Sequence, residues 1–178
     1  MREVTRSRNF LKQCLHEERT VDLSDHLKYC IEERVRWGDV DAARIIFYGA
    51  YIRFFEFAET ELFRAVGLPY GVMFDELDVW LPRAHLECDF RRAAQLDDLL
   101  VVCVYVGRVG TKSLRLNFEV RRKGEDEMLA EAHFVLVAVR RNTFESVPFP
   151  EELKSRLAPY TSPKTSEDAG PRTEAGIL

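Results

Sequence analysis

The chain has 178 residues, of which 46% are hydrophobic, and carries a formal net charge of -4. That length suits one domain with tails at most, and the apolar share is enough for a packed core and excludes general disorder. The acidic balance argues against nucleic-acid binding, whose footprint is a basic excess.

The first twenty residues, MREVTRSRNFLKQCLHEERT, contain neither an apolar h-region nor a small-residue cleavage site. The apolar run from Leu99 to Val106 is far too short to span a membrane as a helix. A soluble cytoplasmic protein is therefore expected, with no membrane partner and no nucleic-acid partner. Residues 1–27 are charged and irregular and read as an N-terminal extension. Lys28 to Trp37 places Tyr29, Ile31, Val35 and Trp37 on one face and Lys28, Glu32, Arg34 and Arg36 on the other, the period of a strand. Gly38 breaks it, and Asp39 and Asp41 follow in a short polar turn.

A helix is predicted over roughly Ile46 to Val66. Tyr51, Phe54, Phe55, Ala58, Leu62, Ala65 and Val66 recur at steps of three and four, and Ile52, Phe57 and Phe63 widen the apolar surface beyond one stripe. A helix this apolar is expected to be embraced by a sheet. On its polar side, Arg53–Glu56 and Glu61–Arg64 stand at ion-pair spacing, and Glu56 and Glu59 read as salt-bridged surface. Gly67 suits the C′ position, and Pro69 prevents continuation; LPYGVMFDELD then reads as a turn-rich connection.

Four strand signals follow, over 80–91, 99–106, 113–122 and 128–140, with breaks short enough for antiparallel hairpins. EELKSRLA after Pro150 suits one or two helical turns, and residues 158–178 have the composition of a disordered tail. Strand, long helix and four strands, without βαβ alternation, give an α+β class: an antiparallel sheet wrapped around one long central helix. The domain proper is expected over residues 28–157.

Cys14, Cys30, Cys88 and Cys103 are scattered and form no C-x-x-C pair, so neither a zinc site nor a redox pair is signalled. Cys88 and Cys103 fall in apolar strand patterns and read as small core residues. His16, His26, His85 and His133 show no ligand spacing, so no metal and no cofactor is expected.

The segment Trp37-Gly38-Asp39-x-Asp41, then Ile45-Ile46-Phe47-Tyr48, then Tyr51-x-Arg53-Phe54-Phe55-Glu56 resembles the active-site signature of the 4-hydroxybenzoyl-CoA thioesterase family of hot-dog-fold proteins. The resemblance covers about Lys28 to Leu157 and implies an acyl-CoA thioesterase. It implies catalysis by Asp41, as general base or nucleophile, with a backbone N–H near Tyr48 polarising the thioester carbonyl. It further implies a homodimer or homotetramer with active sites at the dimer interface.

From spacing alone, the two aspartates read first as turn and N-cap residues. The resemblance moves Asp41 to a catalytic role and leaves Asp39 structural. The sequence departs from the family pattern at Arg44, where a glycine is usual, and at Gly49 and Ala50. Arg44, Phe47 and Gly49 are the substrate-binding candidates; Arg44 reads equally as a partner of Asp39 or Asp41, as a contact to an acidic substrate group, or as plain surface.

For CoA phosphates, Arg91-Arg92, Lys112, Arg121-Arg122-Lys123 and Arg140-Arg141 offer charge at strand ends, and the same groups suit the phosphopantetheine arm of an acyl carrier protein. Phe47, Phe54, Phe74, Trp80 and Leu81 suit an aromatic or aliphatic acyl chain. The alternatives are a carrier-protein thioesterase of a biosynthetic pathway and a non-catalytic acyl-thioester-binding module. A dehydratase is a weaker reading, since no histidine stands in or beside the helix.

Overall fold

A computed structural model of the chain describes residues 27–162. The expected N-terminal extension and most of the expected tail lie outside the described residues. The first residues assigned to that tail are part of the domain: Ala158–Tyr160 form a 3-10 turn, Thr161 bridges to Val106, and Tyr160 packs edge-on to Tyr29.

Five strands form one antiparallel sheet. In chain order these are β1 (Tyr29–Arg34), β3 (Arg83–Phe90), β4 (Leu99–Val109), β5 (Ser113–Arg122) and β6 (Met128–Val137). Their spatial order is β1-β4-β5-β6-β3, so β1 and β3 are the two edges. The strands β2 (Val79–Trp80) and β7 (Val139–Arg140) pair separately. The helices are α1 (Tyr48–Ala65), α2 (Tyr70–Leu77) and α3 (Glu151–Leu157). The chain is thus α+β, with an 18-residue helix against an antiparallel sheet.

Alternation along each strand divides the sheet into two faces. Leu100, Val102, Val104 and Val106 of β4, Leu114, Leu116, Phe118 and Val120 of β5, and Phe134 and Leu136 of β6 are buried beneath α1. From the helix, Phe54, Phe55, Ala58 and Leu62 enter the same core without exposure. Phe55 packs on the Phe118–Phe134 pair, with ring centroids 5.0 and 5.7 Å away. Such pairs add about 0.5–1.5 kcal/mol each beyond the area they bury.

Gly67 ends α1 at φ +76. Its N–H donates to the Arg64 carbonyl, and the Leu68 N–H donates to that of Phe63. These are the two bonds of a Schellman cap, which needs a left-handed residue at C′.

Several elements differ from their sequence expectation. The first strand stops at Arg34, because the Val35 N–H donates to the Asp98 carbonyl and the chain then turns into a 3-10 segment over Trp37–Asp39. Trp37 therefore leaves the inner face and is exposed. The supposed connection after Pro69 is the helix α2, whose Met73 is buried in the core. The long last strand is interrupted at Ala138, whose N–H donates to the Lys112 carbonyl.

Cys103 is buried, as expected, but on the outer sheet face, where it is disulfide-bonded to Cys30, its direct cross-strand neighbour on β1. Cys88 is half-buried and free.

Glu59 is also a correction. It is fully buried, paired with Arg83 at 2.9 Å and hydrogen-bonded by the Tyr70 hydroxyl. A register shift in β3 between Arg83 and His85 breaks the strict alternation there, and the Arg83 guanidinium reaches the helix. Burial pushes the Glu59 carboxyl up from its ordinary value, opposed by Arg83 and Tyr70. Burial alone would lower Arg83, yet the Glu59 carboxylate holds it protonated.

Candidate active site

Asp39 and Asp41 stand two residues apart and meet different surroundings. Asp39 is 2% exposed. Its carboxylate accepts the Arg36 N–H at 2.7 Å and is paired with Arg53, while its backbone carbonyl accepts the Phe47 N–H at 3.0 Å. Arg53 therefore pairs backwards to the turn instead of with Glu56. These bonds fix the entry of the chain into α1.

Asp41 is exposed, and its Oδ1 accepts the Ala43 N–H at 2.8 Å, the bond of an Asx turn. The Arg44 N–H closes the turn onto the Asp41 carbonyl at 2.9 Å, and the Asp41 N–H donates to the Ile45 carbonyl at 3.0 Å. Arg44 holds φ +64, a left-handed conformation that a glycine adopts without the steric cost of a Cβ. Among the described residues, the Arg44 guanidinium makes no ion pair.

The helix begins uncapped. Phe47 is the N-cap, and no side chain bonds the first-turn N–H groups, so those of Tyr48 and Gly49 are left with the partial positive charge of a helix start. Tyr48 presents its side chain outward, 77% exposed, against the Phe47 ring. A Cβ on Gly49 would lie 2.4 Å from the Phe47 ring. Glycine there lets that ring fold back over the helix start.

A cavity of about 350 Å³ is lined by Asp41, Ile45, Ile46, Phe47, Tyr48, Tyr51, Phe90, Arg91, Arg92 and Ala93. Of the sequence candidates, Asp41, Tyr48 and Phe47 meet here, and Arg44 and Gly49 are not among its walls. Arg91 and Arg92 are the only members of the basic clusters that reach it. Arg91 pairs with Glu131, and Arg92 with Glu127 at 2.8 Å, both in the open. The other basic groups are paired elsewhere: Arg121 with Glu119, Arg122 with Asp98, Lys123 with Glu32, Arg140 with Asp78 and Arg141 with Asp75. Lys112 bonds Ser146. Phe54 and Leu81 belong to the core rather than the cavity.

Tyr51, part of the family signature, and Phe90 are walls to which the sequence assigned no substrate contact, their rings 5.2 Å apart. The Tyr51 hydroxyl is buried with no hydrogen-bond partner among the described residues, and burial pushes its pKa to about 12. The Ala94 backbone opposes that rise as a hydrogen-bonding neighbour, although the hydroxyl meets no partner in full hydrogen-bond geometry. Tyr51 read as helical stripe in the sequence, and only its orphaned oxygen distinguishes it.

A carboxylate beside uncapped helical N–H groups, in an apolar cleft rimmed by arginine, is a chemistry shared by acyl-transfer sites. The thioesterase-like superfamily model matches residues 35–157, a span that includes this whole cavity. The chain belongs to the thioesterase-like superfamily. It is 32% identical over 122 residues to the acyl-CoA thioesterase YbgC of Haemophilus influenzae, covering 68% of this chain and 88% of that one. It is 25% identical over 130 residues to a 1,4-dihydroxy-2-naphthoyl-CoA hydrolase of Synechococcus elongatus, covering 72% of this chain and 94% of that protein. In fold it superposes on a 1,4-dihydroxy-2-naphthoyl-CoA thioesterase from Synechocystis with a TM-score of 0.69 at 18% identity, covering 74% of this chain and 96% of that one. This thioesterase-like chain has the hot-dog fold of those neighbours.

Proposed function

We propose that this protein hydrolyses an acyl-CoA thioester to the free acid and CoA, with Asp41 as the catalytic carboxylate. The observation that carries the reading is the meeting of Asp41 with the uncapped start of α1 in one apolar cavity. In the general-base form, Asp41 takes a proton from water, whose oxygen attacks the thioester carbon. In the nucleophilic form, the carboxylate attacks first and water opens the resulting anhydride. Either way the C–S bond breaks, the CoA thiolate leaves and is protonated, and negative charge builds on the carbonyl oxygen in between. The N–H groups at the helix start near Tyr48 receive that charge; losing one such donor typically costs about 100- to 1000-fold in rate.

The names of the curated relatives support a CoA ester as substrate. Phe47, Tyr51 and Phe90 suit an aromatic or aliphatic acyl group, and Arg91 and Arg92 stand where CoA phosphates would pass. The protein is further proposed to be a homodimer. Strand β3 is an open edge, Leu86 and Phe90 on it are 42% and 52% exposed, and an open edge of this kind favours pairing with a second chain.

The test is free-thiol release from a panel of aromatic and aliphatic acyl-CoA substrates, with Asp41→Ala run beside the wild type. Turnover that disappears in a folded variant is the expected result. Full turnover in Asp41→Ala would remove Asp41 from the mechanism. Binding of acyl-CoA without turnover, on CoA and carrier-protein thioesters alike, would make the protein a binding module.

A further inference from the structure

His85 and His133 are separated by most of the sheet region in sequence, and the pairing of β3 with β6 brings them together. The register places Glu87 directly opposite His133 and His85 opposite Val135, so His85 and Glu87 lie two residues apart on one strand with His133 across from them. Their inner-face neighbours in the same ladder are Leu86 and Phe134, and Phe134 is buried against Phe55 of α1. Alternation therefore puts the two imidazoles and the carboxylate on the outer face of the sheet, turned away from α1 and from the Asp41 cavity.

The Nε2 atoms of His85 and His133 lie 3.6 and 3.8 Å from the same Glu87 Oε2. One ligand atom from each of the three side chains lies within 4.8 Å of the others. A tetrahedral zinc ion with metal–ligand bonds of about 2.0–2.2 Å sets its ligand atoms roughly 3.3–3.6 Å apart. The observed separations need closing by at most a few tenths of an ångström at Glu87 and by up to about 1.5 Å at the widest pair. His85 and Glu87 can supply that movement, since their side chains are 54% and 62% exposed, whereas the His133 side chain is 20% exposed and held by the sheet around it.

We propose that His85, Glu87 and His133 form a binding site for a divalent transition metal, zinc by its ligand set, that clips edge strand β3 to β6. Two imidazoles and one carboxylate suit zinc, and the solvent side leaves a fourth position for water. The clip lies two strand residues from Asp89, which adds negative charge beside it, while Glu131 across from Asp89 is paired with Arg91. Because the ligands come from two strands, binding stabilises the fold rather than a local turn, and it does so independently of any thioesterase chemistry.

The test is a zinc chloride titration of the full-length, tag-free protein against a chromophoric competitor, paired with thermal unfolding. Wild type is expected to bind one zinc per chain and to unfold at a higher temperature with zinc present. His133→Ala and His85→Ala are each expected to weaken binding by about tenfold or more, since even partners outside the ligand shell matter on that scale, and to lose the thermal shift. Glu87→Gln, which keeps the shape and removes the charge, is expected to weaken binding too. Circular dichroism without metal is expected to be the same for all four proteins. Absence of stoichiometric binding to the wild type would overturn the site, and so would equal binding by the His85→Ala/His133→Ala double variant, which would assign the zinc to other groups of the chain.

Discussion

Arg53, on the second turn of α1, pairs with the buried carboxylate of Asp39, and this contact ties the helix to the turn that presents Asp41. The two aspartates of one short motif thus divide two tasks. Asp39→Asn weakens the Arg53 pair while keeping an acceptor for the Arg36 N–H. It is expected to lower stability by roughly 1–3 kcal/mol and activity only through a loosened site. Asp41→Asn touches an exposed residue and is expected to keep its unfolding midpoint near that of wild type. Its turnover should fall at least 100-fold, the lower end for a lost general base. Denaturant unfolding and thiol release on both variants check this. Equal stability losses, or a larger rate loss at Asp39, would reverse the assignment.

How far this division was legible in the sequence depends on which interactions are local. The period of two in β5, the stripe of α1 and the Gly67 cap are set by neighbours in the chain, and each lies where the pattern placed it. Asp41, Phe47 and Tyr48 meet in the cavity because they flank one helix start. What the sequence hid is contact across the sheet or between helix and strand. Glu59 looked like helix surface until Arg83 reached it from a bulged β3, and Cys30 and Cys103 became neighbours only through the β1–β4 register. Tyr51 was one apolar position among several, with nothing in its spacing to set its hydroxyl apart.

Arg44 occupies a left-handed backbone position. A side chain there costs about 1–2 kcal/mol against a right-handed conformation, whereas glycine suffers no such clash but has more unfolded-state entropy to lose. Arg44→Gly is therefore expected to raise stability by about 0.5–1 kcal/mol. Because the guanidinium makes no ion pair among the described residues and is not a cavity wall, kcat and KM are expected to stay within about twofold. A rise in KM confined to acidic acyl groups would instead give Arg44 a substrate contact.

The Tyr51 hydroxyl is neutral near pH 7, as a tyrosine is at its ordinary value of 10.0, and burial pushes it further up to about 12; it has no partner among the described residues. An unpaired buried hydroxyl costs stability, and a bound substrate oxygen would satisfy it. Tyr51→Phe is expected to be as stable as wild type or more so by up to about 1 kcal/mol. Its kcat/KM should fall roughly three- to tenfold, the worth of one neutral hydrogen bond, for acyl groups that carry a hydroxyl or other oxygen beyond the thioester carbonyl, and should not fall for plain alkyl chains. Equal kcat/KM on both substrate types would leave the hydroxyl without a role.

Glu59 and Arg83 join α1 to β3, and their pairing gives the sharpest test of the core. Removing one partner of a buried pair commonly costs about 3–5 kcal/mol because a charge is left unpaired. Arg83 keeps about a third of its side chain in solvent, so water screens part of that loss, and Arg83→Ala is expected to cost roughly 2–3 kcal/mol. The pH dependence follows from Glu59, whose carboxyl is raised by burial. A raised carboxyl binds its proton more tightly in the folded state, so its contribution is fully present below the unfolded value and is lost as pH rises through the folded one. Without Arg83 that effect grows. The deficit of Arg83→Ala should therefore be largest at neutral pH and shrink on acidification toward the ordinary carboxyl value of 4.5. Adding Glu59→Leu removes the stranded charge and should recover most of the loss at neutral pH. Urea unfolding of the two single variants and the double variant at several pH values reads both effects. A deficit that is constant with pH, or a double variant no better than Arg83→Ala, would mean that Arg83 stabilises the fold by stacking on the Phe134 ring rather than by pairing with Glu59.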